Sequence, residues 1–324
     1  ISAGPSAQID PGDSISVDFA LVGGSEVADI EEHSRFAQQA FDRDYVVPVP
    51  PPSPLLKVVA RDGALDLYWD DSPEMFADST GSYPLDFEGY RIYLDEERLA
   101  PPLSIRAQFD KGGAGLPNDT TGFNTGFAAV RRDTVMDGVQ YRYRYHVPAL
   151  KNGFKYFCAV TAYDLGTTEI ESLESGSAQN EVMAIPGPAP GERAERRVYV
   201  YPNPYRVEAK WDRGQQVRDH YLWFTNLPER CTLRIYTLSG DLVLEREFDG
   251  TRYRGENARG VFDPRNVTGL PPPSLSGTTF AWDLITRERQ AAATGLYLYA
   301  VEDRSSGKSI VGKFVIVKSD REGF

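Results

Sequence analysis

The sequence contains little cysteine and little histidine. Cys158, Cys231, His33, His146 and His220 are all that its 324 residues provide. Neither a Cys-x-x-Cys pair nor a His-Glu-x-x-His run is present, which removes the strongest sequence signals for a zinc or haem site. The histidines lie far apart and no Gly-x-Ser-x-Gly run accompanies them, so we predict no nucleophile–base constellation and no enzyme activity.

Positive charge and long apolar runs are also scarce. Lys and Arg total 35 against 47 Asp and Glu, a formal net charge of −12. Such a field repels phosphate backbones, so nucleic acid is not an expected partner. No apolar run approaches the roughly 20 residues of a membrane-spanning helix, so no membrane span is expected. Because the chain begins with Ile1 and no leader-like run, we expect a piece upstream of it.

Residues that favour strands and turns are abundant. The chain has 29 Gly, 23 Pro and 18 Tyr against only 3 Met. From Leu55 onward, apolar and polar side chains alternate with the period of two that is typical of half-buried strands. We therefore predict an all-β fold of tandem β-sandwiches with one N-terminal amphipathic helix.

Proline-rich stretches divide the chain into parts. They are stiff, polyproline-like sequences rather than flexible ones. The predicted parts are, in chain order, a partial strand-plus-helix segment (1–45), a Pro-rich linker (46–54), a sandwich (55–186) with an insertion (100–138), a Pro/Gly linker (187–197), and a second sandwich (198–324) with an insertion (249–277).

The N-terminal segment is predicted to hold one strand and one helix. Residues 15–22 alternate between apolar and polar side chains, and Ser25 is the predicted N-cap of a helix that continues to Asp44. A lone strand is not stable, so we expect this one to add to an exposed sheet edge of a neighbouring copy and to build a fibre. The residues expected at that interface are Ile15, Val17, Phe19 and Leu21.

The middle part resembles a fibronectin type III domain. The resemblance is carried by Trp69 at the end of the second predicted strand, by Gly-Tyr-Arg-Ile-Tyr at 89–93, and by residues 150–164, which match the family pattern L-x-x-G-x-x-Y-x-x-x-V-x-A. It implies that Tyr156 is the tyrosine of the corner motif and that residues 177–184 form the final strand. The long stretch 100–138 departs from the family, in which this connection is short.

The last part resembles the type A C-terminal sorting domain of the bacterial type IX secretion system. Its motifs are an opening Tyr-Pro-Asn-Pro, a strand and turn of the form hydrophobic-Tyr-x-x-x-Gly, a Gly-x-Tyr strand and a closing apolar run between lysines. The resemblance implies export across an outer membrane to the cell surface or the medium, with the secretion machinery, cell-surface proteins or other copies of the chain as partners. The residues that match these motifs are Tyr201, Pro202, Asn203, Pro204, Gly240, Gly295, Tyr297, Lys313 and Lys318.

Acidic side chains crowd the loop that follows Trp69. Asp70, Asp71 and Asp78 offer the hard oxygen ligands that suit Ca²⁺, and are weak candidates for a calcium site. The regular Asp-x-Asp-x-Asp-Gly spacing is absent, so a hydrated acidic loop is the alternative. No other cofactor is expected.

Two further pairs of residues are singled out by their position on strands. Arg142 and Arg144 alternate with tyrosines, which places both arginines on one sheet face as candidates for a protein interface. Cys158 and Cys231 lie at inward phases of strands in different sandwiches. We predict that both are buried free thiols, because separate cores rarely bring two Cα atoms within disulfide range.

Together these features predict a non-catalytic extracellular protein with a structural or adhesive role, exported by a type IX-like route. The sequence leaves two alternatives open. The chain could comprise the C-terminal accessory and sorting modules of a larger secreted hydrolase, or it could bind carbohydrate through aromatic residues in the stretch 100–138.

Overall fold

The computed structural model describes residues 8, 10–46, 48–78, 85–96, 103–111, 122–166, 171–190, 197–206, 220–255 and 273–318. The chain forms two compact units. The smaller comprises Ile1–Val49 and Asp78–Pro84, and the larger comprises Pro50–Ala77 and Leu85–Phe324. The predicted segments 191–196 and 256–272, within the second linker and the second insertion, lie outside the described residues.

The described residues form one α-helix, α1 (Val27–Asp42), and four sheets. The predicted all-β class with a single N-terminal helix is therefore confirmed. In chain order the strands are β1 (Leu56–Arg61), β2 (Ala64–Trp69), β3 (Phe87–Asp95), β4 (Ile105–Asp110), β5 (Arg131–Met136), β6 (Val139–Val147), β7 (Tyr156–Asp164), β8 (Val182–Ile185), β9 (Tyr199–Tyr201), β10 (Tyr205–Arg206), β11 (Leu222–Thr225), β12 (Arg230–Thr237), β13 (Leu242–Asp249), β14 (Ser274–Leu275), β15 (Phe280–Trp282), β16 (Gly295–Asp303) and β17 (Ser309–Val317).

Helix α1 begins one residue later than predicted. Glu26 is its N-cap, and the carboxylate of Asp29 accepts hydrogen bonds from the backbone N–H groups of Ser25 and Glu26 and from the Ser25 hydroxyl. This arrangement satisfies donors that the first turn of a helix leaves unpaired. The helix ends at Asp42 because Asp44 and Tyr45 adopt left-handed backbone angles, with φ of 52° and 64°.

The predicted strand over residues 15–22 is wrong. The structure assigns no strand to this segment. The side chains of Ile15, Val17, Phe19 and Leu21 are all exposed. Alternation specifies which face of a strand is apolar, but a strand also needs a partner for its backbone groups. The segment has no such partner within the described residues.

The first sandwich packs a sheet of order β1-β2-β6-β5 against a sheet of order β14-β8-β7-β3-β4. Its core is centred on Trp69, which is fully buried and whose ring lies 5.6 Å from that of Tyr90 and 5.5 Å from that of Tyr143. The Tyr156 hydroxyl accepts a hydrogen bond from the backbone N–H of Lys151, five residues upstream, at 3.2 Å. This is the geometry of a tyrosine corner.

Two details of the first sandwich differ from the sequence predictions. The stretch 100–138, predicted as an insertion, supplies β4 to one sheet and β5 to the other. The final strand covers Val182–Ile185, and a 3₁₀ turn occupies Ser177–Gln179 instead of an earlier part of that strand. The side chain of Asn180 makes this change of direction stable, because it bonds to the carbonyl oxygens of Pro54 and Val160.

The second sandwich packs a sheet of order β10-β17-β16-β12-β13 against a sheet of order β15-β11-β9. Phe314 lies in the middle of its core, stacked on Tyr297 at 5.5 Å and edge-on to Phe224 at 5.8 Å. The two cysteines belong to different cores. Cys158 and Cys231 are buried free thiols, as predicted, and burial raises the pKa of Cys158 to about 12.

The two sandwiches share a sheet. Strand β14 lies within the second predicted insertion (249–277) of the second sandwich, yet it pairs in parallel with β8 of the first, with Ser274 opposite Ala184 and Leu275 opposite Ile185. Pro186, Gly187 and Pro188, which connect the sandwiches, are buried. The start of this Pro/Gly segment is therefore packed within the larger unit.

The described residues contain no helix with the length and apolar character that crossing a bilayer requires.

Two glycines allow a test of how closely the sandwiches approach. Gly138 closes the two-residue hairpin between β5 and β6, with φ of 79°, and a Cβ there would meet nothing within 4 Å. Gly153 has a similar φ of 82°, but a Cβ there would lie 3.0 Å from Cγ2 of Thr225 in the second sandwich. Substitution of Gly138 by alanine therefore tests backbone strain alone, whereas the same substitution at Gly153 tests backbone strain together with a steric contact to Thr225.

We expect Gly138→Ala to lower the free energy of unfolding by about 1 kcal/mol, because a left-handed residue with a Cβ is strained. Gly153→Ala should cost more, because its Cβ also displaces Thr225. Urea unfolding of both variants measures the difference. Equal losses would show that Thr225 moves aside freely.

Candidate functional site

The residues that match the sorting-domain motifs meet along the last strand of the second sandwich. We call the residues Tyr201–Tyr205, Gly295, Tyr297 and 313–318 the motif corner. The peptide bonds before Pro202 and Pro204 are both cis, and they carry the chain from β9 in one sheet to β10 in the other. Tyr205 is fully buried, and the pairing of β10 with β17 places it opposite Ile316.

Asn203 fastens this corner to the middle of β17. Its side-chain oxygen accepts a hydrogen bond from the backbone N–H of Val315 at 3.2 Å, and its amide nitrogen donates to the backbone oxygen of Lys313 at 3.4 Å. Both contacts are to backbone groups. The asparagine therefore holds the strand whatever side chains β17 presents to water.

The closing run of the sequence lies beside the Gly-x-Tyr strand. Gly295 is opposite Ile316, and Tyr297 is opposite Phe314 and donates its hydroxyl proton to the backbone oxygen of Ala293 at 2.8 Å. The backbone N–H of Lys318 donates to the Thr294 hydroxyl at 2.9 Å. Burial raises the pKa of the Tyr297 hydroxyl, so it stays a neutral donor.

Gly240 lies in the turn between β12 and β13. It has a φ of 95° and donates its backbone N–H to the Thr237 oxygen at 3.1 Å. Because Thr237 pairs with Tyr297, this turn lies at the same end of the sheet as Gly295. The structure thus brings all four predicted motifs to neighbouring positions in one sandwich, although Tyr201 itself points its ring toward Phe154 of the first sandwich, 4.2 Å away.

The motif corner can present charge to a partner while its backbone stays fixed. Lys313 is exposed on β17, and the alternation of this strand buries Phe314 and Ile316 on the opposite face. The side chains of Asn203 and Thr294 bond to backbone groups of β17 and its continuation.

The predicted interface arginines both form ion pairs within the chain. Arg142 pairs with Asp71 at 2.8 Å and with Asp133 at 2.9 Å. Arg144 pairs with Asp66 at 2.8 Å and lies over the ring of Tyr68. Their guanidinium groups are partly exposed, so their role in an interface stays a prediction.

Asp66 is the centre of a charge cluster that the sequence analysis did not single out. Its side chain is 2% exposed, and its oxygens also contact Arg61 Nε at 3.0 Å and His146 Nδ1 at 2.8 Å. Burial alone would raise the pKa of Asp66, but the hydrogen bonds from His146, Arg144 and Arg61 outweigh burial and hold this pKa below its usual value. One feature of the sequence could have predicted this cluster. Asp66 lies on the outward face of β2, and the neighbouring β6 carries Arg144 and His146 on the same face.

The acidic loop after Trp69 is occupied by contacts within the protein. Asp70 accepts hydrogen bonds from the Leu55 N–H and the Ser72 hydroxyl, and Asp71 pairs with Arg142. Within the smaller unit, Asp78 accepts a hydrogen bond from the N–H of Val49 at 3.0 Å. The part of the chain that the structure describes contains no group of three His, Cys, Asp or Glu side chains placed to hold a metal ion.

Two of the histidines, His33 and His146, have described contacts. His146 contacts Asp66, as a general base contacts its orienting carboxylate, but no hydroxyl or thiol of the described residues hydrogen-bonds to its ring. His33 Nδ1 contacts the backbone oxygen of Gly23 at 2.6 Å.

No protein-family model and no curated protein matches this chain. Among solved structures it is similar to PorZ, an essential surface component of the type-IX secretion system of Porphyromonas gingivalis, with 21% identity and a TM-score of 0.25, over 48% of this chain and 15% of that chain. It is also similar to dimeric latent PorU from the same bacterium, with 15% identity and a TM-score of 0.21, over 86% and 21% of the two chains.

A segment of two fibronectin type III domains from chicken tenascin is similar over 81% of this chain and 99% of that chain, with 9% identity and a TM-score of 0.21. The chain thus spans well under two thirds of the length of the two secretion proteins. With TM-scores this low, the similarities assign neither a family nor a function to it.

We expect Asp66→Asn to lower the free energy of unfolding near pH 7 by about 1–3 kcal/mol, because it leaves the guanidinium groups of Arg61 and Arg144 beside a neutral side chain. The pKa of Asp66 is depressed by folding, so the wild-type advantage is present above the unfolded carboxyl pKa of about 3.9 and is lost as pH falls through the lower folded value. Urea unfolding at about pH 7 and about pH 3 measures both effects.

Asp133→Asn is the matched control, because Asp133 pairs with Arg142 but its side chain is 54% exposed. It should change stability much less. A loss in Asp66→Asn that is the same at both pH values would contradict a role for the ionised carboxylate.

Proposed function

We propose that this chain is a non-catalytic extracellular protein that a type IX-like secretion system exports, and that its second sandwich is the part recognised for export. The observation that carries the proposal is the motif corner. Three separate sequence motifs, up to about 110 residues apart, come to neighbouring positions around β17, and the Gly240 turn lies at the same end of the sheet as Gly295.

The arrangement of the corner supports recognition by a partner protein. Asn203 and Thr294 fix the backbone of β17 and its continuation, while Lys313 extends into solvent. A rigid strand that carries exposed positive charge offers a defined surface to a receptor, and it stands out on a chain whose net charge is −12.

The role after export that we propose is structural or adhesive. It is supported by two sandwiches with filled aromatic cores and by polar clusters, around Asp66 and Asp71, in which charged groups bond to one another. Such clusters stiffen the sheet face on which they lie.

Export tests the first part of this proposal. In a bacterium that carries a type IX secretion system, Lys313→Ala combined with Lys318→Ala should reduce the amount of protein at the cell surface and in the medium about tenfold, equivalent to about 1.4 kcal/mol of lost recognition. Both substitutions keep the backbone contacts of the motif corner, so the melting temperature should stay nearly unchanged.

Lys308→Ala is the control, because Lys308 is exposed in the same region of the second sandwich but lies outside the motifs. It should be exported normally. Normal export of the double variant would contradict recognition through the lysines. Normal export of a chain that also carries Asn203→Ala would contradict the motif corner as the export signal.

We further propose that copies of the protein associate through the N-terminal segment. Ile15, Val17, Phe19 and Leu21 alternate along the chain and are each 46% or more exposed. Apolar side chains that recur at every second residue become buried together when the segment adds to the edge of a sheet on a second copy.

Phe19→Asp should therefore shift the average mass measured by light scattering toward that of the single chain. Ser16→Asp is the control, because it adds the same charge at an exposed position on the opposite phase of the alternation. Equal masses for wild type and both variants would rule out assembly through this segment.

A further inference from the structure

The ends of the two sandwiches that face each other carry a small apolar core of their own. Met183 and Ile185 of the first sandwich pack with Tyr221, Trp223 and Ala281 of the second, and all five side chains are buried. Partly buried Phe157, Tyr201 and Leu275 surround them. This cluster is separate from the core of either sandwich.

Backbone pairing continues across the same boundary. Strand β14 adds to the edge of β8 in parallel, and the Ser274 hydroxyl donates to the backbone oxygen of Val58 on β1 at 2.8 Å. The second sandwich thus contacts both sheets of the first. An edge covered in this way no longer exposes unpaired backbone groups.

The connecting chain is part of the packing. Pro186, Gly187 and Pro188 are buried, the Gly187 N–H donates to the Arg61 oxygen at 2.9 Å, and the Thr278 hydroxyl donates to the Pro188 oxygen at 3.0 Å. A flexible linker between independent domains would leave these groups in water. Here they are bonded to both sandwiches.

We infer that the two sandwiches form one body held together without help from the covalent connection, so that the second sandwich stays bound after the chain between them is cut. Separation would expose Met183, Ile185 and Trp223 and would leave the β8 edge unpaired, and both changes are unfavourable in water. The second sandwich then acts as a permanent cap on the end of the first, and proteolysis between them would not release it. This association does not depend on the export route proposed above.

A protease site placed between Ala194 and Glu195 tests this inference directly. After complete cleavage of the full chain, the two fragments should elute together in size-exclusion chromatography at about 1 μM and separate only in denaturant. Elution as two separate folded fragments at this concentration would overturn the inference. Export measured on the uncut chain has no bearing on the result.

Leu275→Asp in the cut protein probes the contribution of β14. A carboxylate at this partly buried position should raise the dissociation constant of the two fragments at least about tenfold, or about 1.4 kcal/mol. Leu238→Asp is the matched control, because Leu238 is 67% exposed in the turn after β12 and should leave the constant unchanged.

Circular dichroism before cleavage shows whether each variant is folded. If Leu275→Asp does not fold, Ser274→Ala replaces it, since that change removes only the hydroxyl bonded to Val58 and should weaken association to a smaller extent. Unchanged association in every folded β14 variant would contradict a role for β14 in holding the two sandwiches together. Dissociation of the cut wild-type protein would remove the inference altogether.

Discussion

The pairing of β14 with the edge of β8 joins the two sandwiches of the larger unit. Without a neighbour, this four-residue strand would expose a row of backbone donors and acceptors, together with the side chains of Met183 and Ile185. Strand β14 and the side chains around Trp223 cover both at once. Residues 186–188 are bonded at the same boundary, Gly153 approaches Thr225 there, and the rings of Phe154 and Tyr201 are in contact across it.

Long strands were predictable from the sequence because their signal is local. Every second residue from 156 to 162 and from 297 to 301 lies in a core, and both segments form strands close to the expected bounds. The segment 15–22 alternates equally well and forms no strand, because pairing depends on a partner that its own sequence does not specify. Strand β14 is the opposite case, a strand that its own sequence does not predict. Its two residues follow a proline run and show no periodicity, and they pair because the edge of β8 is nearby.

The motif corner was predictable as a set of residues but not as an arrangement. Spacing and residue type identified Asn203 and Lys313, whereas their contact depends on the parallel register of β10 with β17. The Asp66 cluster was missed for a related reason. Arg144 and His146 were visible on one strand, but only the pairing of β2 with β6 brings the aspartate between them. In both places the missing information is which strands are neighbours, a property of the whole fold.

The position of β17 between β10 and β16 has a consequence for the timing of folding. Asn203 and Lys313 are 110 residues apart in the chain, and the strand that joins them is the last one in the described sequence. A ribosome must therefore complete nearly all of the second sandwich before β10 can pair with β17. Loop closure over such a distance is slow compared with the zipping of adjacent hairpins such as β5 and β6. In newly made chains, the first sandwich can therefore fold while the edge of β8 is still unpaired.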